Sequence, residues 1–216
     1  MWSLPILNGE GPHPISDACD FARFCANLDF WVSTDHAEAL TPRKWKSIKE
    51  AVRNCNNPTD SNEPDLVTFL GYEWTQVGNT SENHYGHKNV ILKPIKNNLP
   101  SRPIGAPDHT FFQGIVDAPI YALYGALLYD YKNMQSYFNY RQRQLIIRNQ
   151  DYCDTETHVK DLPLDCLERA EKPSDLYRKL DEWDVESLVI PHGTAWGNTS
   201  PPMASWENQL NSEEHN

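Results

Sequence analysis

Apolar and polar positions along this chain run in two rhythms, and the switches between them predict its elements. Trp45, Ile48, Val52 and Cys55 recur at helical spacing behind Thr41-Pro42, an N-cap followed by a proline at the first helical position. Leu176, Tyr177, Leu180 and Trp183 repeat that pattern after Pro173-Ser174. Phe21, Phe24, Cys25 and Leu28 follow the helix start at Ser16-Asp17, which predicts a further helix with those four on its apolar face. Short apolar runs predict strands over 29–34, 66–74, 88–93 and 187–191, the first of them buried. Polar stretches over 56–64 and 76–83 read as loops. The order helix, strand, helix, strand, strand fits an α/β layering with partly parallel strands.

The rhythm is lost near residue 97. Pro100, Pro103 and Pro107 mark an irregular crossing, and two helix-like stretches follow, about 111–131 and 134–148, dense in Tyr and Phe. Aromatics at that spacing are expected in a core rather than around a ligand. Residues 150–172 are polar and without clear period. The chain therefore divides into a first α/β portion (1–96), a helical and loop insertion (97–172), and a resumed α/β portion with a polar tail (173–216).

Chemistry-bearing residues gather at the strand ends. His36 follows the first predicted strand, Glu73 closes the second, His87 adjoins the third, and His192 ends the last. In α/β folds, ligands collect at one end of the sheet. Imidazole nitrogen and carboxylate oxygen suit a divalent metal such as Zn, Mn or Fe. Glu73, His87 and His192 offer two imidazoles and one carboxylate, His36 is a fourth candidate, and Asp35 stands beside it as a further ligand or an orienting partner. His84 competes with His87 for one role; His87 is favoured because it sits directly against the strand. His13, His109, His158 and His215 fall in loops or the tail. A glycine-rich phosphate loop and a Gly-x-Ser-x-Gly elbow are both missing, which disfavours serine chemistry.

Composition narrows the partners. A formal charge of −11 over 216 residues, with no Lys/Arg cluster, argues against nucleic acid. No apolar run is long enough to span a membrane, so no membrane partner is expected. No signal peptide is read at the start; the compartment stays open, cytoplasmic as written. Five cysteines, odd in number and without a Cys-x-x-Cys pair, make a disulfide framework or thiolate zinc site unexpected.

Four ordered motifs together resemble the PHP (polymerase and histidinol phosphatase) superfamily of metal-dependent hydrolases, and more closely a large family of bacterial PHP-like domains of unknown function. They are Pro14-Ile-Ser-Asp-Ala-Cys-Asp-Phe-Ala-Arg-Phe-Cys with Leu28-Asp-Phe-Trp-Val-Ser-Thr-Asp-His-Ala-Glu38; Gly71-Tyr-Glu-Trp-Thr-Gln-Val-Gly; His84-Tyr-Gly-His-Lys-Asn-Val-Ile-Leu; and Ile190-Pro-His-Gly-Thr-Ala-Trp-Gly-Asn. The resemblance implies a distorted (β/α)7 TIM-like barrel with a metal cluster on its rim, hydrolysing a small anionic ester, typically a phosphoester, with metal-activated water. It implies metal-ligand roles for His36, Glu73, His87 and His192, Glu73 bridging, and catalytic roles for His36 and Glu73. Neither the superfamily's opening His-x-His nor its late Asp-x-His has a match here. The expectation is therefore a partial barrel, truncated at both ends, whose alternative role is to bind a metal or partner without turnover.

Overall fold

The computed structural model describes residues 13–56, 65–93, 99–107, 120–192 and 200–205. Its centre is a four-stranded mixed sheet in the order β1-β2-β3-β6, from β1 (Phe30–Ser33), β2 (Val67–Gln76), β3 (Gly86–Leu92) and β6 (Ser187–His192). β1 and β2 run parallel, while β3 is antiparallel to both β2 and β6. β4 (Ile104–Gly105) and β5 (Glu168–Arg169) form a second, parallel pair. The fold is thus mixed α/β; among the described residues the sheet does not close into a barrel.

The helices are α1 (Ile15–Asp20), α2 (Pro42–Asn56), α3 (Ile120–Tyr129), α4 (Met134–Arg148) and α5 (Pro173–Trp183). α2 follows its sequence pattern closely: Thr41 Oγ1 accepts the Lys44 amide at 3.3 Å, and Trp45, Ile48, Val52 and Cys55 are all buried. α5 buries Leu176, Leu180 and Trp183 and stops at Asp184 in the left-handed conformation, a usual helix exit. Both helices pack into one core with Leu70, Tyr72 and Trp74 of β2 and Val90 and Leu92 of β3. Two indoles tie that core to irregular chain: Trp45 Nε1 donates to the Pro100 carbonyl at 2.8 Å, and Trp74 Nε1 to that of Ala170 at 3.1 Å.

Period-two alternation turns the remaining side chains to the opposite face. Cross-strand register lines up Gly71, Ile91 and Leu188, then Glu73, Asn89 and Ile190, then Thr75, His87 and His192. That face is open: Phe30 (64%), Leu188 (59%) and Ile190 (43%) are exposed on it. β1 is therefore an edge strand on an open face rather than the buried strand expected from its run of apolar residues.

At Gly71 of β2, atoms of both neighbouring strands stand close. A Cβ there would stand 2.7 Å from the Val90 carbonyl oxygen, 2.9 Å from Val32 Cγ1 and 3.0 Å from the Ser33 oxygen. Two of these are backbone atoms that cannot swing aside. Gly71→Ala is expected to cost about 2 kcal/mol by overpacking, lowering the melting temperature by roughly 4–8 °C. A melt at the wild-type temperature would mean that the three strands are not packed this tightly.

Other expectations fail for physical reasons. The first helix is short and gives way to a π-helical turn, Phe21–Cys25, whose wider turn changes the angular spacing of side chains: Ala22 is buried, and Phe21 and Phe24 are exposed. Among the described residues of the insertion, Tyr121, Tyr124, Tyr129 and Tyr131 face solvent rather than a core, while Tyr137 is buried. The loop over 57–64 and the helical stretch before Ile120 lie outside the described residues. Disulfides, unexpected from the cysteine count, join Cys19 to Cys55 and Cys153 to Cys166, with Cα separations of 6.3 and 5.0 Å; Cys25 is free. The partners are 36 and 13 residues apart, so tertiary packing, not local spacing, brings them together.

Candidate metal centre

The site forms at one end of the sheet because three strands deliver polar residues to the same two cross-strand rows. Thr75, His87 and His192 share one row, and Glu73 occupies the next row in, diagonal to His87. β3 is antiparallel to β2, so its amino end, where His87 sits, lies beside the carboxyl end of β2. His36 joins from beyond β1 through a single parallel bridge to Glu73, after which the chain makes a 3-10 turn, Ala37–Ala39.

Glu73 is the hub, 7% exposed. Its Oε1 lies 2.6 Å from His87 Nδ1 and 3.1 Å from His192 Nε2, and its Oε2 lies 3.7 Å from His36 Nδ1. Burial pushes the Glu73 carboxyl up, but the His87 hydrogen bond and the three neighbouring imidazoles outweigh it and hold the group below the ordinary range. Burial lowers His36, with Glu73 opposing, so that ring favours its neutral, ligand-competent form.

The donor set fits a divalent cation. One ligand atom from each of Glu73, His87 and His192 lies within 4.8 Å of the others, so the three can hold a metal ion. Ligands at zinc-type bond lengths of about 2.1 Å stand roughly 3.4 Å apart at the tetrahedral angle. The pairs at 2.6 and 3.1 Å would open by roughly 0.8 and 0.3 Å to admit such an ion. His192 Nδ1 is buried with no hydrogen-bond partner among the described residues, leaving part of that ring's polar capacity unused.

The remaining expected residues fall in different places. His36 is adjacent, and its Nδ1 lies 2.7 Å from Thr75 Oγ1. Asp35 points its carboxylate at Ser33 Oγ, 2.9 Å away, while its carbonyl accepts the Glu73 amide. His84 is fully buried and accepts the Gly78 amide at 3.3 Å, away from the cluster. His13 pairs with Asp17, and His158 Nδ1 accepts the Lys160 amide; His109 and His215 lie outside the described residues.

Two neighbours escaped sequence reading. Thr75 shares the Glu73 face, and alternation from Glu73 is the signal that finds it. Glu38 is further off: its Oε1 accepts the backbone amides of Thr75 at 3.0 Å and Ala106 at 2.7 Å. Burial pushes its carboxyl up to about 7, with those two amides pulling the other way. Nothing in the spacing of Glu38 announces a partner 68 residues along the chain.

No protein-family model, no curated protein and no solved structure matches this chain.

Proposed function

We propose that this chain carries a metal-dependent hydrolase site of the PHP type, acting on a small anionic ester and phosphoesterase-like in its chemistry. The observation that carries the reading is the meeting of Glu73, His87 and His192, separated by up to 119 residues, with His36 beside them. The likeness of the four motifs to that superfamily points the same way. A bound Zn, Mn or Fe ion would supply Lewis acidity and lower the pKa of a water molecule. Glu73, His87 and His192 would hold the ion, and His36 would complete the set. The buried Glu73 and the core behind it keep one side of the site dry, which strengthens charge interactions there.

A second reading is a barrel fragment that binds a metal or a partner without turnover. The open four-stranded sheet favours it, since only one wall of an enclosed site is built among the described residues.

Loading with Zn²⁺, Mn²⁺ or Fe²⁺, removal of excess by gel filtration, and elemental analysis are expected to find stoichiometric metal. The loaded protein is then assayed on nitrophenyl phosphomonoesters and phosphodiesters. Turnover abolished by His36→Ala supports the hydrolase; metal without turnover leaves the second reading; no retained metal sinks the hydrolase and reduces the second reading to partner binding.

A further inference from the structure

We infer that Glu38 is a positioning residue for this site, orienting the His36 imidazole through Thr75; the inference rests on the metal-site reading above. The geometry is a relay of three links. Glu38 Oε1 accepts the Thr75 backbone amide at 3.0 Å, fixing the last turn of β2 against the 3-10 turn that follows His36. Thr75 Oγ1 meets His36 Nδ1 at 2.7 Å. With Nδ1 carrying its proton toward Thr75, Nε2 is left as a lone pair for a metal, the usual way an outer partner selects the tautomer of a ligating histidine.

The same Glu38 oxygen also accepts the Ala106 amide at 2.7 Å, just past β4. One atom therefore pins three stretches of chain that are far apart in sequence: the turn carrying His36, the end of β2 carrying Glu73 and Thr75, and the β4 segment. A carboxylate oxygen is suited to this because it accepts two amides at once with a fixed angle between them. The position of Glu38, two residues after His36, lets a single rigid turn link hub and imidazole. Glu38 is not itself near enough in this arrangement to be one of the clustered ligands; the atoms that gather are those of Glu73, His87 and His192.

The test uses Co²⁺ as the probe metal on the full chain, with the visible absorption band and a binding titration as readouts, and His36 imidazole ¹⁵N shifts on the metal-free protein. Glu38→Ala is expected to weaken Co²⁺ binding about tenfold, the low end for outer partners of metal ligands, and to shift the band. Glu38→Gln keeps an acceptor oxygen for both amides and is expected to stay within about threefold of wild type. Thr75→Val, which removes Oγ1 but keeps the amide, is expected to resemble Glu38→Ala and serves where that variant fails to fold. A double-mutant cycle separates orientation from general support: on a His36→Ala background, Glu38→Ala is expected to add nothing further. In the metal-free protein, wild type and Glu38→Gln are expected to hold one His36 tautomer, with the proton on Nδ1, and Glu38→Ala and Thr75→Val a mixture. Equal losses with and without His36, or a tautomer indifferent to residues 38 and 75, would overturn the relay. Failure of the wild type to bind Co²⁺ while the tautomer follows residues 38 and 75 would instead remove the metal reading and leave the orienting role of Glu38 standing.

Discussion

Glu73→Ala is expected to abolish retention of a divalent metal, raising its Kd by at least about 100-fold, because losing an outer partner alone costs 10–100-fold and this residue supplies a ligand. The size follows from its place as hub: His87, His192 and His36 all approach its carboxylate, and alanine leaves the imidazoles with no anion among them. Metal-free stability is expected to change in a pH-specific way. The wild-type Glu73 carboxyl is held below its ordinary 4.5, so its contribution is present above that pH and is lost as the pH falls from there through the lowered value in the fold. His36 is held below its ordinary 6.5, so the unfolded chain takes up that proton more readily and stability also falls on acidification below 6.5. Alanine removes the carboxylate part and deepens the histidine part, because the Glu73 charge opposes the lowering of His36. Urea unfolding at a series of pH values is expected to move the variant's acid loss toward the histidine range. An alanine variant that retains metal as tightly as wild type would show that the cluster is a hydrogen-bonded knot and not a metal site.

Much of the frame could be read from local pattern, and the reasons for the exceptions are instructive. α2 and α5 are amphipathic with one face toward a sheet, the case in which spacing and burial coincide; the expected α2 residues are all buried, as are Leu176, Leu180 and Trp183 of α5, while Tyr177 is half-buried. The rows holding Glu73, His87 and His192 follow from alternation once the strand ends are known. Phe21 and Phe24 misled because a π-helical turn breaks the regular spacing that reading assumes. The exposed tyrosines of α3 misled because helical spacing reports which residues share a face, never what that face meets. Arg102 is 1% exposed and bonded to the Leu162 carbonyl and the Cys153 sulfur, partners 60 and 51 residues along the chain that its local spacing does not announce. The relay from Glu38 to Ala106 and the two disulfides depend on how irregular chain folds back, and residue spacing carries no record of that.

Removing the Cys153–Cys166 bond by paired alanine substitution is expected to cost about 3 kcal/mol, and removing Cys19–Cys55 about 4 kcal/mol, from loop-closure entropy at these separations. Their consequences for the site are expected to differ. Cys19–Cys55 ties α1 to the end of α2 in a small cluster with Ala22 and Leu66, where Arg23 bonds the Cys55 carbonyl at 2.6 Å. No hydrogen bond or ion pair described there reaches His36, His87 or His192, so its loss is expected to lower the melting temperature and leave Co²⁺ affinity unchanged. Cys153–Cys166 is bound to the scaffold of the site. Arg102 Nη1 donates to both sulfurs and to the Pro163 carbonyl, and Nη2 to that of Leu162. Cys166 lies two residues before β5, which pairs with β4, and the residue after β4 is Ala106, whose amide holds Glu38. Opening that bond leaves a buried guanidinium in a loosened cage and slackens the β4 segment. The expected result is a fall in melting temperature of roughly 6–12 °C together with a several-fold weaker Co²⁺ site, the second effect vanishing on a Glu38→Ala background. Equal Co²⁺ affinity in the two disulfide variants would separate β4 and β5 from the metal centre and confine the relay to Glu38, Thr75 and His36.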